Sequence, residues 1–319
     1  MSLEDSDTDG YPEPMVHVRP FDPRDTDAVV ARVRTQLLDA HAREPFINDA
    51  FDEVGFADAL RAQHAPMWVA LRDGKVVGHL YGALLHDARG TSAWIGPDGV
   101  SFDGPDVLAA LYAEAGNNWF QRGAHEHWVW IPNRDDAFLP WSELGFAKEH
   151  RRGVARLRDV ASVAMPASYR VREGGVGDLD VARELDAILD EAQREGPNFL
   201  FAEAAPGEGI TDTLDDPEVR LHVLERDDEV LGQCVTYPLD VRRGSFEGVV
   251  HLSGVVVRDE FRRRGLGGAF VAKVLSTLRD EGASYVEVHW RVANHDAQRF
   301  WQERGFHATF TRLRRVLDV

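Results

Sequence analysis

The chain has 319 residues, 44% of them hydrophobic, and a formal net charge of −18 from 54 acidic and 36 basic side chains. That length and apolar content suit two full-sized cores rather than one, and an acidic chain without a basic stripe argues against a nucleic-acid partner. The single cysteine, Cys234, excludes intrachain disulfides and multi-cysteine metal sites, and no apolar run reaches the ~18 residues that span a bilayer.

Residues 1–15 read as a flexible acidic leader without the apolar core of a signal peptide, so a cytoplasmic location is expected. Val16 to Arg19 reads as a first strand, Asp22 to Asp27 as a capped turn, and Ala28 to Ala40 as a helix with Val29, Val33 and Leu37 on one face. Ala57 to His64 gives a short second helix. Met67 to Leu80 is a hairpin turning at Asp73-Gly74. A strand surrounds Trp94, a helix runs from Pro105 to about Arg122, Trp128 to Ile131 is a strand, and Val154 to Leu157 closes the sheet. His125-Glu126-His127 has no third ligand in sequence and reads as a surface turn. No metal is expected.

The second half repeats this plan after a break at Met165-Pro166-Ala167-Ser168. Tyr169 to Arg172 is a strand, Asp180 to Arg194 a helix, and Leu221 to Gly232 a hairpin. Trp141-Ser142-Glu143-Leu144-Gly145-Phe146 is echoed by Trp301-Gln302-Glu303-Arg304-Gly305-Phe306. A repeat of about 150 residues means duplicated domains rather than a solenoid. Cys234, within a strand-like run, reads as a buried, inert thiol.

The stretch Val255-Val256-Val257 to Gly268 organises the second half. A β-branched strand passes through Arg262-Arg263-Arg264-Gly265-Leu266-Gly267-Gly268 into a helix whose apolar face is Phe270, Val271, Val274, Leu275 and Leu278. The first turn of a helix has unpartnered N–H groups and partial positive charge. Glycines let an anion approach that backbone, and arginines add fork-shaped donors. The junction therefore reads as a phosphate cradle. A Walker loop would need Lys-Ser/Thr after the last glycine, and a dinucleotide fingerprint a small residue where Phe270 stands. In the first half the corresponding stretch, Gly99 to Asp106, has no arginine, two aspartates, and a proline that removes a donor.

Arg262, Gly265 and Gly267 after a valine strand resemble the Arg/Gln-x-x-Gly-x-Gly/Ala signature of the GCN5-related N-acetyltransferases (GNAT). Asn294, Ala297, Gly305 and Phe306 resemble that family's second motif, Asn-x-x-Ala-x-x-x-Tyr-x-x-x-Gly-Phe, with Trp301 in place of the tyrosine. The resemblance covers about residues 168–319 and extends, through the repeat, to tandem members such as mycothiol synthase. It implies an α/β fold of mixed α+β type: two tandem GNAT folds, each a central mixed, mostly antiparallel sheet flanked by helices. The expected division is a leader (1–15), a degenerate GNAT-like domain without a cofactor loop (16–160) and a GNAT domain binding acetyl-CoA (161–319).

The resemblance further implies an acetyl-CoA-dependent N-acetyltransferase acting on a small-molecule amine, as a monomer or homodimer. Val255, Val256 and Val257 would pair with pantetheine, with a backbone N–H near Val256 as oxyanion donor. Arg262 to Gly268 would hold the pyrophosphate, with Asn294 and Trp301 beside the cofactor. His251 is the first candidate base, sharing a strand face with Ser253 and Val255. Glu203 is the second and His289 the third. An indole offers no acidic proton, so Trp301 leaves a second reading open: a non-catalytic acyl-CoA-binding sensor or assembly module.

Overall fold

The computed structural model describes residues 15–63, 65–87, 90–199, 209–239 and 244–317. Each half opens with the same device. Arg19 and Arg172 end the strands β1 (His17–Pro20) and β9 (Arg170–Glu173) and form two-pronged ion pairs with Asp25 and Asp178 at 2.7–2.8 Å. Each aspartate also accepts a backbone N–H three residues upstream, from Asp22 or Gly175. The pair fixes the turn that launches α1 (Thr26–Arg43) or α5 (Leu179–Arg194). The hairpins that follow, β2–β3 (Met67–Arg72, Lys75–Tyr81) and β10–β11 (Arg220–Arg226, Glu229–Pro238), turn through two left-handed residues. These are Asp73-Gly74 and Asp227-Asp228, the geometry that two-residue hairpins favour.

The remaining elements of the first half are α2 (Glu53–Ala62), β4 (Ala83–Asp87), β5 (Gly90–Ile95), β6 (Val100–Phe102), α3 (Pro105–Gln121), β7 (Ala124–Pro132), α4 (Asp135–Glu143) and β8 (Ala147–Arg156). The second half adds α6 (Gly209–Leu214), β12 (Val250–Val257), α7 (Leu266–Asp280), β13 (Tyr285–Arg291), α8 (His295–Gln302) and β14 (His307–Val316). The fold is mixed α/β, with sheets that are largely antiparallel; β5–β7 and β12–β13 pair in parallel.

The halves trade their closing strands. β8 does not pair with β7, as a sheet closed within the first half would require. It lies between β13 and β14, and β14 lies between β8 and β7. One ten-stranded sheet thus runs β4-β5-β7-β14-β8-β13-β12-β11-β10-β9, beside a four-stranded sheet β1-β2-β3-β6.

Helices α7 and α8 cover one face of the second half. There Phe270, Val274, Leu275 and Leu278 pack on Leu252, Val257, Val288 and Trp290. Helices α5 and α6 cover the other face through Ala182, Leu185, Ile210, Val235 and Val256. Cys234 is fully buried and burial raises its thiol pKa, as expected for an inert group. His125-Glu126-His127 is not a surface turn. It lies inside β7, with His127 buried and 2.7 Å from the Tyr112 hydroxyl. No described helix is long and apolar enough to cross a membrane.

Candidate active site

The two parallel strands of the second half part company. β12 pairs with β13 only at Val250–Val286 and His251–Glu287, so beyond His251 its β13-facing edge has no strand partner. Gly254 produces the divergence. Its φ of +62° lies in the left-handed region, and the register with β11 slips between Gln233 and Val235. This bulge also reverses the side-chain alternation. Val250 and Leu252 face the α7 core, Val256 faces the α5 core, and Val255 and Val257 return to the α7 side. The expectation that His251, Ser253 and Val255 share a face therefore fails at Val255, one residue past the bulge. His251 and the half-buried Ser253 share the α5 face.

The strand leads into a loop with two left-handed residues, Arg263 (φ 60°) and Gly265 (φ 75°), the latter at the N-cap of α7. No side chain caps α7 and no acidic residue occupies its first turn. Its first amides, at Leu266, Gly267 and Gly268, therefore have no intrahelical acceptor. The three arginines differ. Arg262 folds back on the loop, donating to Val257 O at 2.9 Å and pairing with Asp259 at 2.8 Å. Arg263 and Arg264 are exposed and have no carboxylate partner among the described residues; Arg264 lies over the Phe261 ring.

A fourth arginine was not foreseen. Arg304, at the end of α8, stacks on Phe300 at 3.6 Å and donates to Phe300 O at 2.6 Å. Its guanidinium fills the space that a Cβ on Gly268 would need, 2.2 Å from Nη2. Gly268 is thus required for the guanidinium to reach the cradle. Arg304 Nε is buried without a hydrogen-bond partner, and burial lowers the pKa of this arginine.

The other two predicted cofactor residues hold structural posts. Asn294 caps α8 by accepting from Ala297 N at 2.9 Å. Trp301 is 7% exposed, packed edge-on against Phe300 and Phe306. Glu203 lies outside the described residues.

A buried polar cluster sits where β12 and β13 separate. His251 and Glu287 are register partners, and His289 Nε2 is 3.0 Å from Glu287 Oε1. The rings of His251 and His289 are 4.9 Å apart, and Tyr237 lies 5.0 Å from His251. Arg152 of β8, from the first half, stands 3.7 Å from Glu287 and stacks on Phe310. Burial works to raise the Glu287 pKa, but the His289 hydrogen bond and the Arg152 charge hold it below the ordinary carboxylate value. Burial lowers His289 against the pull of Glu287. A neutral imidazole fixed by a charged carboxylate is the arrangement of a general base.

His251, Glu287 and His289 bring their donor atoms within 4.8 Å of one another, close enough for a metal. The guanidinium of Arg152 already neutralises Glu287, which favours proton transfer over metal binding. On α5, Asp186 is raised to about 6, first by burial and then by Asp190.

The spacing of Glu287 and His289 on one strand face was visible in sequence. Arg152 was not, because it arrives through the traded strand.

Residues 185–306 match the model of the acetyltransferase (GNAT) family. Among curated protein sequences, none matches this chain. A GCN5-related N-acetyltransferase from Sphaerobacter thermophilus superposes with a TM-score of 0.61 at 16% identity, covering 94% of this chain and 95% of that one. A tandem GNAT protein of the clavulanic acid biosynthesis pathway gives 0.53 at 15% identity, over 96% and 99%. A fungal multi-domain β-N-acetylglucosaminidase with a GCN5-related glucosamine N-acetyltransferase region gives 0.56 at 18% identity, over 98% of this chain and 39% of that one. The match to the acetyltransferase (GNAT) family thus lies within the second half, over residues 185–306, and at these identities the likeness of the whole chain to these structures is one of fold.

Proposed function

We propose that the chain is an acetyl-CoA-dependent N-acetyltransferase, that its second half (161–319) carries the reaction, and that the acceptor is a small-molecule amine. The observation that carries this reading is the buried His251–Glu287–His289 cluster at the point where β12 and β13 separate. The uncapped amides of α7, with Arg263, Arg264 and Arg304, would hold the pyrophosphate of acetyl-CoA. The free edge of Val255 to Val257 would take its pantetheine arm, and a backbone N–H near Val256 would polarise the thioester carbonyl.

The amine approaches from the α5 face. Its nitrogen gives a proton to the imidazole cluster, directly or through water, and bonds to the acetyl carbon. The carbon–sulfur bond then breaks. Trp301 sits in the core and supplies no acid, so the imidazolium just formed is the nearest proton for the leaving thiolate.

The first half (16–160) takes no CoA in this reading. At its equivalent junction Asp103 and Asp106 stand beside a helix that begins with Pro105, and both are paired to arginines.

Release of free thiol from acetyl-CoA across a panel of small amines tests the proposal. Amine-dependent release that falls at least tenfold in His289→Gln supports it. CoA binding with no amine-dependent release would instead mark a non-catalytic acyl-CoA-binding module.

A further inference from the structure

The connection between α1 and α2, residues 44–52, crosses from the first half onto the second. Its turn is held from within. Ile47 N donates to Glu44 O at 2.9 Å, Ala50 N donates to Asn48 Oδ1 at 3.2 Å, and Ile47 O lies 2.7 Å from His41 Nδ1. Two consecutive residues of this turn then grip the other half. Asn48 donates from its backbone N–H to Gly244 O at 3.1 Å and from Nδ2 to Ser245 O at 3.0 Å. Ile47 is fully buried and packs with Phe310 of β14. Gly244 lies between them at a φ of +76°, and a Cβ there would come within 2.9 Å of the Phe310 ring and 3.2 Å of Ile47 Cγ2. We propose that Ile47 and Asn48 are positioning residues for the buried His251–Glu287–His289 cluster of the second half, acting through Arg152.

Both grips converge on that guanidinium. Arg152 has His289 and Phe310 as register partners on its two sides. It stacks on the Phe310 ring at 4.0 Å, the ring that Ile47 backs. It also donates from Nη1 to Ser245 Oγ at 3.4 Å, in the residue whose carbonyl Asn48 holds. Its Nε stands 3.7 Å from Glu287, whose other oxygen is 3.0 Å from His289 Nε2. Asn48, Ser245, Arg152, Glu287 and His289 thus form a continuous line of polar contacts from the α1–α2 connection into the cluster.

The charged groups around His289 are Glu287, Arg152 and Arg312, and those around Glu287 are His289, Arg152 and His251. If the Arg152 guanidinium drifts, Glu287 is less neutralised, and the proton affinity of His289 rises. Catalysis feels the same displacement, because a base works only within hydrogen-bond reach of the proton it takes. The role rests on the proposed use of the cluster as the general base.

The test follows the imidazoles of His289 and His251 in the full chain by NMR across pH, assigned through His289→Gln and His251→Ala, beside kcat and KM from thiol release. Asn48→Ser keeps an acceptor oxygen for Ala50 N but is too short to reach Ser245 O. Ser245→Ala removes the hydroxyl that Arg152 meets. Each should move the His289 titration upward by about half a pH unit or more. Each should also lower kcat about tenfold, with the KM for acetyl-CoA within about twofold. Ser245→Thr, which keeps the hydroxyl, should restore both. Arg34→Ala, which breaks an exposed ion pair between α1 and α2, should change neither. An unmoved His289 titration in both Asn48→Ser and Ser245→Ala would overturn the proposal. So would a Ser245→Thr variant as displaced as Ser245→Ala. The NMR titration needs no turnover, so a failure of the base assignment, seen as amine-dependent thiol release that survives His289→Gln, is told apart from a failure of the two positioning residues.

Discussion

Arg152 and Glu287, from opposite halves of the sequence, stand 3.7 Å apart on adjacent strands, with side chains 4% and 0% exposed. A buried carboxylate that loses its cation is left uncompensated, so Arg152→Ala should cost about 3–5 kcal/mol. Replacing both by apolar residues, Arg152→Met with Glu287→Leu, should recover much of that stability. Urea denaturation of the single and double variants measures the difference. Equal losses in both would mean that packing, not charge, holds the junction together.

The cluster should show itself in the pH profile. With a neutral imidazole as base, turnover rises with pH as the proton leaves, because the protonated form cannot accept one. His251→Ala should lower turnover and remove that limb. Glu287→Gln should shift the limb while sparing the Michaelis constant for acetyl-CoA. Profiles of kcat in wild type and variants decide it, and an unaltered limb in His251→Ala would clear this histidine of the role.

Binding of CoA should follow the cradle. Arg264→Glu with Gly267→Pro should abolish it with the circular dichroism spectrum kept. Arg304→Ala should weaken it by roughly the 1.5–3 kcal/mol of a charge-assisted hydrogen bond. Titration calorimetry reads both effects, and unchanged affinity in the double variant would refute the cradle.

Gly254→Val forces a β-branched residue into a left-handed conformation and should destabilise the fold by at least about 1–3 kcal/mol. If β12 instead straightens to relieve the strain, the gap beside β13 closes, and CoA affinity falls further than stability does. Thermal melts run beside calorimetry separate the two outcomes.

Acid should unfold the protein early. Burial pulls His79, His127 and His222 down to about 4. Each is neutral in the fold, so as pH falls below the unfolded value of ~6.5 the unfolded chain takes up protons that the folded chain refuses. Stability is thus complete above that value and drains away toward pH 4. Three such groups give a slope approaching 4 kcal/mol per pH unit in this window. Urea midpoints at pH 7, 6 and 5 measure it, and His222→Gln should flatten the slope by about a third.

Local signals carried much of this. The Asp73-Gly74 turn, the apolar face of α7 and the arginine–glycine loop were legible because each is set by neighbours a few residues away. The two histidines of the cluster were each visible as candidates, but their meeting depends on parallel register, which a sequence does not print. Gly254 was a legible warning, a glycine inside a valine strand, yet its effect on Val255 requires the bulge itself. The path of β8 was illegible for a different reason. Its first six residues, Ala147 to Arg152, are mostly charged and carry no apolar alternation, so only the tertiary fold chooses its partners.

That choice makes the molecule topologically interlocked. A protease cut between residues 159 and 168 would sever the chain without freeing either piece, because each fragment keeps a strand seated in the other. The nicked protein should co-purify as a complex, and neither fragment expressed alone should reach a native state. The exchange of β8 and β14 thereby makes the two halves of the sequence one cooperative unit, each indispensable to the other.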